Sequence, residues 1–199
     1  MGTGRLEAFS DGVLAIIITI MVLELRVPHG DDWSALGDST TGLLTYLLSF
    51  VYIGIYWANH HHMLQLCERV SGGVLWANLH LLFWLSLFPF TTSWMEETEV
   101  AHTPVLVYGV NLFAAGVAWL ILQRTIIRLE GPESRLKTAV GRDVKGKASA
   151  VIYVLGIAST FLTPWLGIAL FTLVALIWLV PDRRLENFVA EIEGRPRSA

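Results

Sequence analysis

The sequence predicts an all-α integral membrane protein with six transmembrane helices per subunit, and three observations carry that reading. The chain is 54% apolar and only 16% charged over 199 residues, a balance outside the range of ordinary soluble domains. Its mean hydropathy of +0.56 is concentrated in runs close to the roughly 20 residues that cross a bilayer. Its charges lie almost wholly between those runs, and the basic residues among them are unevenly distributed along the chain.

Span one covers Phe9 to Leu25 and stops before Pro28, His29 and Gly30, a helix-ending cluster. No small-residue cleavage site follows it, so it reads as a retained span and not a removed signal peptide. Span two runs from Leu43 to about His61. Span three runs from Val74 to Phe90, with Pro89 near its end. Thr103 and Pro104 read as N-cap and first residue of span four, Val105 to Ile127. The stretch from Ala148 to Val180 is too long for one span, and Thr163 with Pro164 divides it into two short ones.

Charge supports six spans over five. With the N-terminus inside, the inner segments collect Arg5, Arg69, Arg124, Arg128, Arg135, Lys137, Arg142, Lys145, Lys147, Arg183, Arg184, Arg195 and Arg197, and only Arg26 of the 14 basic residues falls outside. Five spans would place the basic C-terminal tail on the wrong side. Both termini are thus expected in the cytoplasm, with residues 1–182 as the membrane domain and residues 183–199 as a basic cytoplasmic tail. The outer loops gather Asp31, Asp32, Asp38, Glu96, Glu97 and Glu99, a negative field at one mouth of the molecule. Tryptophans such as Trp33, Trp76, Trp94 and Trp165 stand near span ends, as interfacial anchors do.

Several function classes drop out. The lone Cys67 can form neither an intrachain disulfide nor a CxxC site. His60, His61 and His62 splay by about 100° each on a helix and cannot converge on one metal ion, and no HExxH pattern is present. The basic segment from Arg124 to Lys147 lacks aromatic platforms and nucleic-acid motifs, so it reads as a linker touching anionic lipid. No convergent catalytic groups or cofactor motif stand out, so neither an enzyme nor a cofactor is expected.

The first span carries the candidate chemistry. At about 100° per residue, Phe9, Gly12, Ile16, Ile20, Leu23 and Val27 fall within about 40° of one line, and Thr19 lies beside it. Periodicity alone leaves two roles open, a plain packing face or stacked apolar collars around an axis shared by several copies. Asp11 projects about 140° from the seam, into the subunit's own bundle. A membrane-edge carboxylate needs a partner, and Trp57, His60, His61, Asn78, His80 and Arg5 lie at its depth.

Arg5, Phe9, Ser10 and Asp11 stand as RLEAFSD at the start of span one. This RxxxFSD motif resembles the signature of the transmembrane protein 175 family, lysosomal potassium channels and their bacterial relatives. The similarity extends to the WxxHH run of Trp57 to His61 and to Asn78 early in span three. The resemblance implies a passive potassium-selective cation channel in which the first helix lines the pore. It also implies a constriction at Ile16, with Ile20 and Leu23 on the next turns and Thr19 as a nearby polar position. A single six-span repeat is similar to the bacterial tetramers, so a homotetramer in the bacterial plasma membrane is expected. Bacterial members often carry Leu where this chain has Ile16 and Ile20, which bears on collar width. VYIGIY at Val51 to Tyr56 has only a superficial likeness to the potassium-filter sequence TVGYG, because no re-entrant loop surrounds it. A proton pathway and a secondary transporter are the alternative readings.

Overall fold

A computed structural model describes residues 2–141 and 143–179, and every described element is helical. In chain order these are α1 (Thr3–Leu23), α2 (Trp33–Asp38), α3 (Thr40–Gln65), α4 (Gly72–Ser86), α5 (Phe88–Glu97), α6 (His102–Glu130), α7 (Arg135–Val140), α8 (Val144–Ser159) and α9 (Pro164–Leu179). Four stretches are long and apolar enough to cross a membrane: Thr3–Leu23, Thr40–Gln65, Gly72–Glu97 and His102–Glu130. The basic tail expected over residues 183–199 lies outside the described residues.

Two span boundaries differ in kind from the sequence expectation. Pro89 does not end the third span. The chain turns at Leu87 and restarts as α5, with Pro89 in the first turn, where its missing N–H costs no helical bond. The fourth helix is capped not by Thr103 but by the backbone of Ala101, and Pro104 lies one turn-fraction further in. Glu99 and Val100 just before it hold positive φ, a tight reversal that fixes where the helix can begin. The polar loops also contain two one-turn helices, α2 and α7. Asp32 caps α2 by accepting from the Ala35 N–H at 2.9 Å, which, with the Ser34 hydroxyl, holds its carboxyl below the usual range.

The division at Pro164 is as the sequence predicts. After α8 ends at Ser159 the chain turns through residues 160–163, and α9 starts on Pro164 itself.

The long helix α6 is the spine. It packs against α4 and α5 on one side and against α8 and α9 on the other. Its buried stripe alternates bulk with small residues: Tyr108, Gly109, Leu112, Ala115, Ala118 and Leu122. Small residues matter here because lipid tails are as apolar as the side chains, so close packing and internal hydrogen bonds, not water exclusion, drive association. Phe171 of α9 is the centrepiece, its ring seated against Gly109 of α6 and Gly156 of α8, with no room for a Cβ at either glycine. Buried hydroxyls join the helices nearby. Tyr52 donates to the Phe171 carbonyl at 2.6 Å, and Ser49 hydrogen bonds with both Thr92 at 2.6 Å and Tyr108 at 3.1 Å.

The loops at the other end are clasped together. Glu130 accepts from the Glu68 N–H at 2.8 Å and from the Ser134 hydroxyl at 2.7 Å, while Arg135 pairs with Glu68 at 3.1 Å. Cys67 is buried in this clasp, and burial, helped by the charge of Glu130, pushes its thiol up to about 11. Cys67 is therefore expected to resist iodoacetamide at neutral pH in the folded protein and to label once the chain is unfolded in dodecyl sulfate. Prompt labelling of the native protein, followed by mass spectrometry, would show the clasp to be open.

Candidate functional site

Helix α1 has two faces, and the sequence spacing explains both. Leu6, Ser10, Leu14, Ile17 and Met21 recur every three or four residues and are all buried against α3, α4 and α5. The seam lies about 120° around the helix from their centre. There Ile16 is 58%, Ile20 41% and Leu23 80% exposed, and Phe9 and Gly12 are exposed as well, whereas Val27, expected on the same line, lies past the end of the helix at Leu23. No part of the described subunit covers this line of apolar side chains. Successive members are about 6 and 4.5 Å apart along the helix axis. Thr19 is exposed beside them, and its hydroxyl donates to the Ile16 carbonyl at 2.8 Å. Its proton is thus engaged, while its oxygen still presents lone pairs outward.

Behind the seam, at the N-terminal end of α1, polar side chains from three helices meet. The Ser10 hydroxyl donates to the Leu6 carbonyl at 2.8 Å and accepts from the Asn78 amide at 2.9 Å. The other end of Asn78, its Oδ1, accepts from His60 Nε2 at 2.7 Å, which assigns the ring proton to Nε2. His60 Nδ1 is buried without a partner among the described residues. Ser10, Asn78 and His60 are all buried, so each bond is made out of water.

Two further bonds tie α1 to α3 nearer the surface. Trp57 Nε1 donates to Asp11 at 3.1 Å, and His61 Nδ1 donates to Glu7 at 2.6 Å. Gln65 in turn donates to His61 Nε2 at 3.0 Å. Glu7 and Gln65 are members that sequence reasoning missed. The signal for Glu7 was its position four residues before Asp11, one turn back on the same face of the helix.

Other expected members sit elsewhere. Arg5 and Phe9 are exposed and join none of these bonds. His80 accepts from Trp84 at 3.0 Å on its own helix and does not reach Asp11. Among the described residues, no three His, Cys, Asp or Glu side chains are placed to hold a metal ion.

The cluster joins α1 to α3 and α4 on the side of the helix away from the seam. Asn78→Leu removes one bond from each of two buried groups, and each orphaned group costs about 1 to 3 kcal/mol. The variant is expected to melt several degrees below the parent in detergent, as read by scanning fluorimetry. Asp11→Ala, which loses one partly exposed bond, is expected to cost less. Equal melting temperatures for Asn78→Leu and the parent would mean that the cluster adds nothing.

Comparison with known proteins places this geometry. Residues 5–89, which hold nearly all of α1 and the whole polar cluster, match the sequence profile described as endosomal/lysosomal potassium channel TMEM175. A potassium channel of Chryseobacterium sp. (strain P1-3) is 53% identical over 96% of this chain and 100% of its own length. A potassium channel of Streptomyces collinus is 31% identical over 88% of this chain and 91% of its own. Among solved structures, a lysosomal potassium-selective channel TMEM175 homolog from Chamaesiphon minutus superposes with a TM-score of 0.73 at 28% identity. That match covers 88% of this chain and 95% of the other. With shared sequence over nearly its full length and a shared arrangement of helices, the chain belongs to the TMEM175 family.

Proposed function

We propose that the chain is one subunit of a potassium-selective cation channel that conducts passively through a central pore lined by α1. The observation that carries the proposal is the uncovered seam of Ile16, Ile20 and Leu23 on a helix whose opposite side is anchored by hydrogen bonds. An anchored helix with an unpartnered apolar line suits a contact made between copies. Four copies around one axis would turn Ile16, Ile20 and Leu23 into stacked collars, with the Thr19 oxygens as a polar layer beside them. The potassium-channel names of the relatives, which align over nearly all of this chain, support the same reading.

In this reading α1, α3, α4 with α5, α6, α8 and α9 make six crossings, and both termini face the cytoplasm. The basic segments then lie inside, and the assembly resides in the bacterial plasma membrane. A bare ion in a low-dielectric collar costs tens of kcal/mol, so permeation proceeds through a wetted collar or with the ion only partly dehydrated. Width and wetting at Ile16 set the rate, and the Thr19 oxygens offer ligands to a partly stripped cation. No cofactor takes part, and the permeant ion is potassium.

Purified protein in liposomes is expected to pass potassium down its gradient faster than sodium, without a coupling ion. Potassium-loaded vesicles with a pH-sensitive or potential-sensitive dye measure this directly. Strictly coupled exchange would replace the channel reading with a transporter, and flux of protons alone would replace it with a proton channel.

A further inference from the structure

A groove between α3, α6, α8 and the end of α9 is not used by the pore. One part, about 70 Å³, runs along the helix middles and is bordered by apolar side chains such as Ile55, Phe113 and Leu120. The other, about 240 Å³, lies at the helix ends beside α7 and is bordered by Gln123, Asn59 and Lys145. Asn59, Trp119, Asp143 and Trp178 border both parts, which makes them one continuous groove.

The polar part is built rather than merely exposed. Gln123 is 6% exposed, yet its carboxamide hydrogen bonds to no described residue. Its carboxamide borders the groove, where a ligand can meet it. Lys145 and Asp143 bring opposite charges to the same place. The Lys145 ammonium is 5.9 Å from the Trp178 ring centre, and Trp178 is itself fixed by donating to Ser149 at 2.8 Å. Asp143 is held in place as the cap of α8, accepting from the Gly146 N–H at 3.0 Å.

We propose that this groove seats a phospholipid with a primary-amine zwitterionic headgroup, of the phosphatidylethanolamine class. The polarity order of the groove, apolar along the helix middles and charged at the helix ends, is that of a lipid lying parallel to the helices. An acyl chain lies along Ile55, Phe113 and Leu120. The phosphate meets Lys145 and the Gln123 N–H groups, and the ammonium donates to Asp143. A purely anionic headgroup would leave the Asp143 carboxylate beside a phosphate with nothing between them. A choline headgroup carries no N–H to give Asp143. Only the headgroup and the start of one chain fit, so the rest of the lipid stays in the surrounding bilayer.

The test uses the full-length protein in mild detergent, titrated separately with phosphatidylethanolamine, phosphatidylcholine and phosphatidylglycerol. Native mass spectrometry counts bound lipid, and scanning fluorimetry follows melting. One phosphatidylethanolamine per subunit is expected to be retained in preference to the other two, and to raise the melting temperature. Gln123→Leu is expected to weaken that binding about tenfold, the loss of one hydrogen bond to a charged group. Gly116→Leu, which places bulk in the apolar part, is expected to do the same. Gln123→Leu without added lipid is expected to melt no lower than the parent, because the amide it removes makes no hydrogen bond within the described residues. Equal retention of the three lipids would overturn the proposal, as would undiminished binding by both variants or a lipid-free Gln123→Leu protein that melts lower. The readouts are lipid binding and melting, so their failure leaves the conduction reading standing, and a failure of conduction leaves them untouched.

Discussion

Ile16→Asn is expected to raise potassium flux at least about tenfold and to narrow the preference for potassium over sodium. A tenfold gain needs only about 1.4 kcal/mol off the barrier. In a symmetric assembly one codon change acts in every subunit at once, so each amide contributes only a fraction of that. In the proposed pore, the wild-type collar would offer a passing ion only methyl and methylene groups. An amide offers a carbonyl oxygen in place of a lost hydration water, and its polarity keeps the constriction wet. Selectivity falls for the same reason, because a wetted ring no longer forces ions to shed the hydration by which potassium and sodium differ. Planar-bilayer recordings under bi-ionic conditions measure both quantities. A companion change, Ile20→Asn, sits one turn away on a less exposed position and is expected to act in the same direction with smaller effect. Unaltered conductance and reversal potential in the Ile16 variant would remove the seam from the ion path.

Phe171→Ala is expected to be the most destabilising single change in the described chain, about 3 to 5 kcal/mol. The ring is completely buried between glycines of two other helices, and the hydrogen bond from Tyr52 to the Phe171 carbonyl depends on α9 keeping its place. Lipid-like surroundings do not soften the loss, since much of it is forfeited packing contact rather than exposure to water. Gly156→Leu attacks the same joint from the other side by driving a side chain into the ring. Melting in detergent and the fraction eluting as intact oligomer report both. The pair Gly156→Ala with Phe171→Leu is expected to be milder than the sum of its parts, because the smaller side chain yields the space that the new methyl needs. Full additivity would mean that the two positions do not share one joint.

Much of the fold was legible because a membrane imposes simple rules. The apolar runs and the break at Pro164 follow from helix length and a missing N–H, neither of which depends on neighbours. Details that depend on neighbours were not legible. Pro89 reads as a terminator in isolation, yet it starts α5 because the chain has already turned at Leu87. Thr103 has the right chemistry for a cap, but the positive-φ reversal at Glu99 and Val100 starts the helix earlier. On α1, the seam and the direction of Asp11 could be read from angle and depth. The particular bonds, Ser10 with Asn78 and Glu7 with His61, required knowing how three helices approach one another. Gln123 gave no signal at all, because one polar residue on a long apolar helix reads equally well as exposed.

Helix α8 is 16 residues long and so rises only about 24 Å, against a hydrocarbon layer of about 30 Å. Lys145 and Lys147 occupy the first turn of α8 and shorten its greasy length further. In the six-crossing arrangement proposed above, a helix that falls short on one flank of each subunit would make the surrounding leaflets dip toward it, and the elastic strain of that dip depends on acyl length. The protein therefore meets a thin bilayer and a thick one as different mechanical loads, transmitted through α6 to the rest of the subunit.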